Sequence, residues 1–296
     1  MTNPKMNIVE EMKELLADPK NRIRLDDYVT KYIKAFLATT DIKHFPVQGA
    51  KVQKEDFLQR MQKYEEAVRD LQQIVILLAR WEEGEQLSIL PKVFSRLAEA
   101  DKGSSGVTLW IDFGWYPIQI LMYSAGIAAL SAGKYDALKL TLTTPVQKSS
   151  VEKEYLPIIA IVAPNLSDIN DTFKWIPGLE KNYVPRSEHL FQTLGPALEE
   201  LLFVGKEYER LFDEFEVYSA LVYADVTGEN WGPIGRFGWK HSRGMGKNPF
   251  SRVVEEAKEK GGGWPPLQVG MFNGSSERFL EISEALGQRF NELSWW

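Results

Sequence analysis

An arginine and a histidine stand close together in one short stretch of the chain, and this pair could do chemistry. Arg236 and His241 are separated by four residues. In cleavage of a phosphodiester, the histidine would act as an acid or a base while the arginine stabilised charge on the phosphate. If the chain is an enzyme acting on RNA or a nucleotide, we expect Arg236 and His241 to be its catalytic residues.

The same stretch also carries residues suited to binding an anion. Glycine N–H groups can approach a phosphate closely, and basic side chains add positive charge. The Walker pattern is not matched, because the chain has His241 and Asn248 where it requires Gly and Ser or Thr. Nucleotide or nucleic-acid binding through residues 236–260 therefore remains a hypothesis based on charge. The candidate ligand-binding residues are Arg236, Trp239, Lys240, Arg243 and Lys247.

Composition offers a third interpretation, in which this segment is structural. Residues 228–274 contain eleven of the 22 glycines. Residues 199–229 carry nine acids and two bases, whereas residues 236–260 carry seven bases and three acids. A basic, glycine-rich loop would then follow an acidic helix, with its glycines in tight turns. In this interpretation, which we favour, Arg236 pairs with Asp225 or Glu229.

The Arg236–His241 pair resembles the active-site motif of HEPN ribonucleases. In that family an arginine precedes a histidine by a few residues within an all-helical, metal-independent fold. The chain departs from the family in two respects. The family motif lies on a helix, whereas Gly235 and Gly238 favour a loop, and the usual polar residue after the arginine is Phe237 here.

Apolar periodicity predicts helices that would have to position these residues. Apolar residues recur at helical spacing through residues 54–83, and further helices are predicted at 6–17, 26–37, 87–100, 187–201, 208–222 and 276–293. The expected class is mainly α, with a glycine-rich irregular segment near the C-terminus and at most a small β element. We expect an N-terminal helical region over 1–164 and a C-terminal one over 165–296, or one continuous domain.

The middle of the chain is harder to interpret. Leu138, Leu140 and Leu142 alternate with polar residues, a period typical of a strand. Residues 156–163 form an apolar run that fits either a strand or a buried helix. Asp112 stands among apolar residues, where a carboxylate must be hydrogen-bonded, paired or neutralised.

A second set of residues could contact another protein. The apolar stripe of residues 57–78 is typical of a core helix, and less often of a seam with a partner. Aromatic residues also anchor interfaces. The candidate interface residues are Phe57, Met61, Tyr64, Trp231 and Trp264.

Composition and charge exclude several classes of function. The chain has no cysteine and three histidines, so we expect no metal and no cofactor. Its net charge of −6 does not favour nucleic-acid binding by the whole chain. Residues 113–132 carry no charge but contain a proline and a glutamine, which favours a buried helix over a membrane span. The charged N-terminus and the lack of cysteine favour a cytoplasmic location.

Two phrases resemble helical regions of bacterial multidomain anti-phage defence proteins. The first is LLADPKNRIRLDDYV at residues 15–29, and the second combines ALVYAD at 220–225 with WGPIGRF at 231–237. The resemblance implies a helical sensor or partner-binding region without its own effector domain. Our first hypothesis is therefore a non-catalytic regulatory protein that binds another protein or a second copy of itself. The alternative is the enzyme that uses Arg236 and His241.

Overall fold

The apolar stripe of residues 57–78 forms the inner side of the longest helix in the described part of the chain. The computed structural model describes residues 7–49, 51–83, 87–147, 154–242 and 248–293, with all their side chains except those of residues 241 and 242. Fourteen α-helices lie in these ranges, with short 3₁₀ turns between some of them. A mainly α fold is confirmed.

The helices that periodicity predicted are all found, in the predicted order, and further helices form between them. They are α1 (Ile8–Leu16), α2 (Arg22–Thr39), α3 (Lys54–Trp81), α4 (Ile89–Ala98), α5 (Thr108–Phe113), α6 (Tyr116–Ser131), α7 (Tyr135–Thr143), α8 (Ile158–Asp168), α9 (Pro185–Leu202), α10 (Tyr208–Thr227), α11 (Arg236–Ser242), α12 (Pro249–Lys260), α13 (Pro265–Gln268) and α14 (Ser276–Glu292). Local signals set several of the ends. Asn7 and Glu10 form a capping box on α1, and Ser275 caps α14.

Helices α3 and α6 form the centre of the core and share the most extensive contact in the fold. The uncharged helix α6 is buried along nearly its whole length, as its composition predicts. Gly126 lets it approach α10, because a Cβ at this position would lie 2.0 Å from Phe215 Cε2. Among the described residues, no helix is long and apolar enough to cross a membrane.

One expectation for the middle of the chain needs correction, and one open alternative is resolved. The alternating leucines lie in helix α7, where Ala137, Leu138, Thr141 and Leu142 form one buried face. Burial of this face against neighbouring helices outweighs a short alternation that fits either structure. The apolar run from residue 158 onward is a buried helix, α8.

The β element is a small antiparallel pair. Strand β1 (Pro145–Gln147) pairs with β2 (Tyr155–Pro157), and Val146 lies opposite Leu156. The predicted division between residues 164 and 165 falls inside α8, and helices from both sides of it contact one another, as α6 does with α9 and α10. The number of domains stays a prediction.

Candidate functional site

Arg236, Trp239 and Lys240 lie together on helix α11, which packs against α10. The expected loop is therefore wrong for residues 236–242. Gly235 precedes the helix, and only Gly238 lies inside it. Phe237 is fully buried, with its ring centroid 5.4 Å from that of Phe290. Packing of this kind readily outweighs the low helix propensity of one glycine, which is about 1 kcal/mol.

Arg236 is buried and surrounded by partners. Its Nη2 donates to Glu209 Oε1 at 3.2 Å, and its Nε lies 3.5 Å from Glu188 Oε2. The guanidinium carbon lies 3.6 Å from the centroid of the Phe191 ring, a cation–π geometry. The side chain is 9 % exposed. The positive charge of Arg236 is therefore neutralised within the chain.

The two other described members of the set are held by the same acidic helices. Lys240 Nζ donates to Glu209 Oε1 at 2.8 Å and also pairs with Asp213. Trp239 Nε1 donates to Glu188 Oε1 at 3.2 Å. The hydrogen bond from Lys240 lowers the pKa of Glu209, whereas burial raises the pKa of Asp213. We call Glu188, Glu209, Asp213, Arg236 and Lys240 the α9–α11 charge network.

A second polar layer lies beneath this network. The hydroxyl of Ser187 donates to Glu216 Oε1, and Tyr123 donates to the same oxygen at 3.1 Å. The backbone N–H of Arg236 donates to Ser187 Oγ at 3.0 Å. Glu216 is 1 % exposed, and burial raises its pKa to about 7. Ser187 thus connects α9, α10 and the first residue of α11.

Gly235 is required by this second layer. A Cβ on residue 235 would lie 1.9 Å from Glu216 Oε1, so only glycine fits here without movement. A cavity of about 20 Å³, large enough for about one water molecule, lies between Gly235, Glu216 and Arg186. Within the described residues, Arg186 Nη1 and Glu216 Oε2 are buried and have no hydrogen-bond partner.

The observed partners of Arg236 differ from the predicted ones. Asp225 pairs with Arg278, and Glu229 accepts a hydrogen bond from Tyr223 at 3.3 Å. Both acids lie at or beyond the C-terminal end of α10, whereas Arg236 packs beside its N-terminal half. The type of contact was predicted, an internal ion pair with acids near α10, but the named acids were wrong.

These contacts bear on both functional interpretations of the segment. Arg243, Lys247 and the side chain of His241 lie outside the described part of the chain. Of the five candidate anion-binding residues, the two described cations are held by carboxylates. Arg236 lies on a helix, as in the HEPN motif, yet its guanidinium is occupied by Glu188 and Glu209. The ribonuclease interpretation stays a prediction.

The candidate interface residues lie mostly in the core. Phe57, Met61 and Tyr64 are at most 7 % exposed, and Trp264 is fully buried. The stripe on α3 is therefore covered by the chain itself, which corrects its assignment as a contact surface. Trp231 is partly exposed, and its ring stands edge-on to Tyr223 with centroids 5.3 Å apart.

Sequence reasoning missed two neighbouring cavities on either side of Phe45. One is an apolar groove of about 270 Å³, and the other is a polar cleft of about 470 Å³. Both are bounded by the turn at residues 45–49, which the sequence shows only as a break between helices. Lys102, beside the groove, donates from Nζ to the carbonyl oxygens of Leu97, Ala98 and Ala100 at the end of α4.

Metal-binding geometry is not found in the described ranges, where no group of three or more histidine, aspartate or glutamate residues is arranged so that it could hold a metal ion. Asp112 is buried, and desolvation, with a contribution from the charge of Asp168, raises its pKa to about 6. Comparison with protein-family models, curated proteins and solved structures finds no match to this chain. The resemblances to HEPN ribonucleases and to defence proteins therefore rest on the quoted residues alone.

Proposed function

We propose that the chain is a non-catalytic, cytoplasmic helical protein that binds a partner protein, with Phe203 as the anchor of the contact. The observation that carries the proposal is the conformation of this one residue. Phe203 ends helix α9 in the left-handed region, with φ of 54°, and 83 % of the residue is exposed.

Phe203 is unfavourable in two respects, its backbone conformation and the exposure of its ring. A non-glycine residue in the left-handed region costs about 1–2 kcal/mol. Leaving a phenylalanine in water also forgoes roughly 1.5–3 kcal/mol that burial would give. Helices commonly end with glycine at such a position, which avoids both. Residues with a strained backbone cluster at functional positions.

Phe272 has the same backbone strain, but its ring is buried. Its φ is also 54°, but it is 1 % exposed and packs against Trp264 and Phe279. Its strain is offset by burial of the ring. Among the described residues nothing compensates the ring of Phe203 in this way, and a partner surface would supply that contact.

The surroundings of Phe203 indicate the chemistry of the partner. Leu202 and Val204 on either side are buried, so the phenyl ring alone projects. Exposed acids Glu199, Glu200 and Glu207 lie nearby in the chain. A partner with an apolar socket and a basic rim would complement this surface, because interfaces centre on aromatic anchors and charged rims fix orientation.

The test places a photo-crosslinking amino acid at position 203 of the full chain in its native cells. A matched control places it at position 155, where Tyr155 is also an exposed aromatic residue. We expect a discrete crosslinked product from position 203 and not from 155. In a separate arm, Phe203→Gly should abolish co-purification of that product while the fold is retained. Equal products from both positions, none from 203, or unchanged co-purification with Phe203→Gly would overturn the proposal.

The biological setting in this proposal is a bacterial anti-phage defence complex, in which the chain serves as the sensor or regulatory component. It is supported by the resemblance of residues 15–29, 220–225 and 231–237 to helical regions of defence proteins. An effector or ATPase gene beside the gene for this chain is the expected finding, and a crosslinked partner from an unrelated process would overturn this setting.

A further inference from the structure

We propose that the polar cleft beside Phe45 binds the phosphate group of a small-molecule ligand. The cleft lies between residues 44–49, 51 and 52 on one side and the first half of α3 on the other. Its volume of about 470 Å³ lies in the range of ligand sites, about 300–1,000 Å³. The polar side chains that line it are His44, Gln48, Lys51, Gln59, Arg60 and Lys63, with Asp56 as the one acid. This proposal does not depend on Phe203.

The cleft concentrates positive charge in a chain whose net charge is −6. Lys51, Arg60 and Lys63 face one carboxylate, that of Asp56. In the described part of the chain, neither Lys51 nor Lys63 has an ion-pair partner within 4.0 Å. Arg236 and Lys240 differ from these lysines, because carboxylates of α9 and α10 neutralise their charges. An oxyanion in the cleft would therefore meet uncompensated charge.

Arg60 fixes one of these charges in place. Its guanidinium carbon lies 3.9 Å from the centroid of the Trp110 ring, and Nη2 donates to the carbonyl oxygen of Pro46 at 2.7 Å. A guanidinium held in this way loses little conformational entropy when an anion binds nearby. Lys51 and Lys63 are exposed and adjustable, so they can close around a phosphate from the solvent side.

The wall opposite α3 is also held in place before any ligand binds. Gln48 Nε2 donates to the carbonyl oxygen of Ser105 at 2.8 Å, and the backbone N–H of Val107 donates to the carbonyl oxygen of Val47 at 2.8 Å. Gly106 permits this approach, because a Cβ there would lie 2.6 Å from the oxygen of Val47. A preorganised wall lowers the entropic cost of binding a small ligand.

The experiment titrates inorganic pyrophosphate into the full chain and follows binding by calorimetry and by thermal stability. The cleft variant is Lys51→Glu with Lys63→Glu. The matched control is Lys13→Glu with Lys34→Glu, which changes the net charge equally at exposed lysines outside the cleft. Circular dichroism and the unfolding midpoint without ligand establish that each variant is folded.

We expect wild type and control to bind pyrophosphate with a dissociation constant of about 1 mM or tighter, and the cleft variant to bind about tenfold more weakly. If both variants bind pyrophosphate equally weakly, the effect comes from the net charge of the protein and not from the cleft, which would overturn the proposal. The absence of binding to wild type would overturn it as well. A short single-stranded RNA that binds in the cleft when pyrophosphate does not would also contradict a small-molecule ligand.

Discussion

The Ser187 hydroxyl donates a hydrogen bond to Glu216 Oε1 at 2.5 Å and accepts one from the backbone N–H of Arg236 at 3.0 Å. One buried hydroxyl therefore serves one oxygen of the Glu216 carboxylate and the first N–H of α11 together. The charge network above it depends on this contact, because Arg236 and Lys240 reach Glu209 only when α11 is in place.

Replacing Ser187 with alanine should destabilise the fold. The change leaves the Arg236 N–H without its acceptor and removes one donor from Glu216. Each unsatisfied buried polar group costs about 1–3 kcal/mol, so we expect the unfolding free energy to fall by about 2–4 kcal/mol. Urea denaturation measures this, with Ser104→Ala in an exposed loop as the control. A loss below about 1 kcal/mol would show that α11 docks without this contact.

Glu216 should make stability depend on pH in a defined direction. Its pKa is raised from 4.5 to about 7 in the folded chain, so the folded state holds a proton that the unfolded state releases between these values. The contribution of Glu216 to the unfolding free energy is therefore greatest below about pH 4.5. It falls by up to about 3 kcal/mol as the pH rises through about 7.

The variant that isolates this effect is Glu216→Gln. Its amide oxygen can accept from Ser187 and Tyr123 as the carboxylate oxygen does, and it cannot ionise. We expect unfolding free energies measured between pH 4.5 and 8 to fall less steeply in this variant than in wild type. Glu284→Gln, at an exposed position on α14, should keep the wild-type slope. Identical slopes in all three proteins would mean that Glu216 titrates at its ordinary pKa.

Gly235→Ala should be strongly destabilising although it adds one methyl group. The new Cβ would lie 1.9 Å from Glu216 Oε1, and no flexible end of a side chain is there to move aside cheaply, since Glu216 is held by Ser187 and Tyr123. We expect a loss of about 2–3 kcal/mol. Gly262→Ala is the matched control, since nothing lies within 4 Å of its Cβ position. Similar midpoints of thermal unfolding for both variants would contradict this packing.

Phe203 and Phe272 should respond oppositely to the same substitution. Glycine relieves left-handed strain at both positions, but only Phe272 loses a buried ring. We expect Phe203→Gly to retain or gain stability, by up to about 1 kcal/mol, and Phe272→Gly to lose about 3–5 kcal/mol. Chemical denaturation of both variants measures the difference. A large loss in Phe203→Gly would indicate that its ring packs within the chain after all.

Features encoded locally were predicted well from the sequence. The spacing of Phe57, Met61 and Tyr64 predicted α3, and apolar spacing likewise predicted α14, since periodicity acts over one or two turns. The burial of α6 followed from its lack of charge. Each of these depends on residues within a single element.

Features that depend on distant residues were not predictable in this way. Gly238 suggested a loop, but Phe237 finds Phe290 far along the chain and α11 forms around that contact. The acids nearest in sequence to Arg236 were taken as its partners, whereas Glu188 and Glu209 reach it through the packing of α9 and α10. The polar cleft is likewise formed by separate segments of the chain, so no sequence motif predicts it.

The ribonuclease alternative is best tested at His241 and not at Arg236. Removing Arg236 should lower the unfolding free energy by about 1.5–3 kcal/mol, because Glu188 would lose its cation, whereas Glu209 keeps Lys240. Any loss of activity in Arg236→Ala would therefore report disruption of α11 as readily as loss of a catalytic group. His241→Ala replaces no member of the charge network. If the chain is non-catalytic, as we propose, His241→Ala retains the partner crosslink at position 203 and full biological activity, and purified wild type leaves RNA uncleaved. Cleavage of RNA by wild type that disappears in a folded His241→Ala variant would establish the enzyme in place of the binding protein.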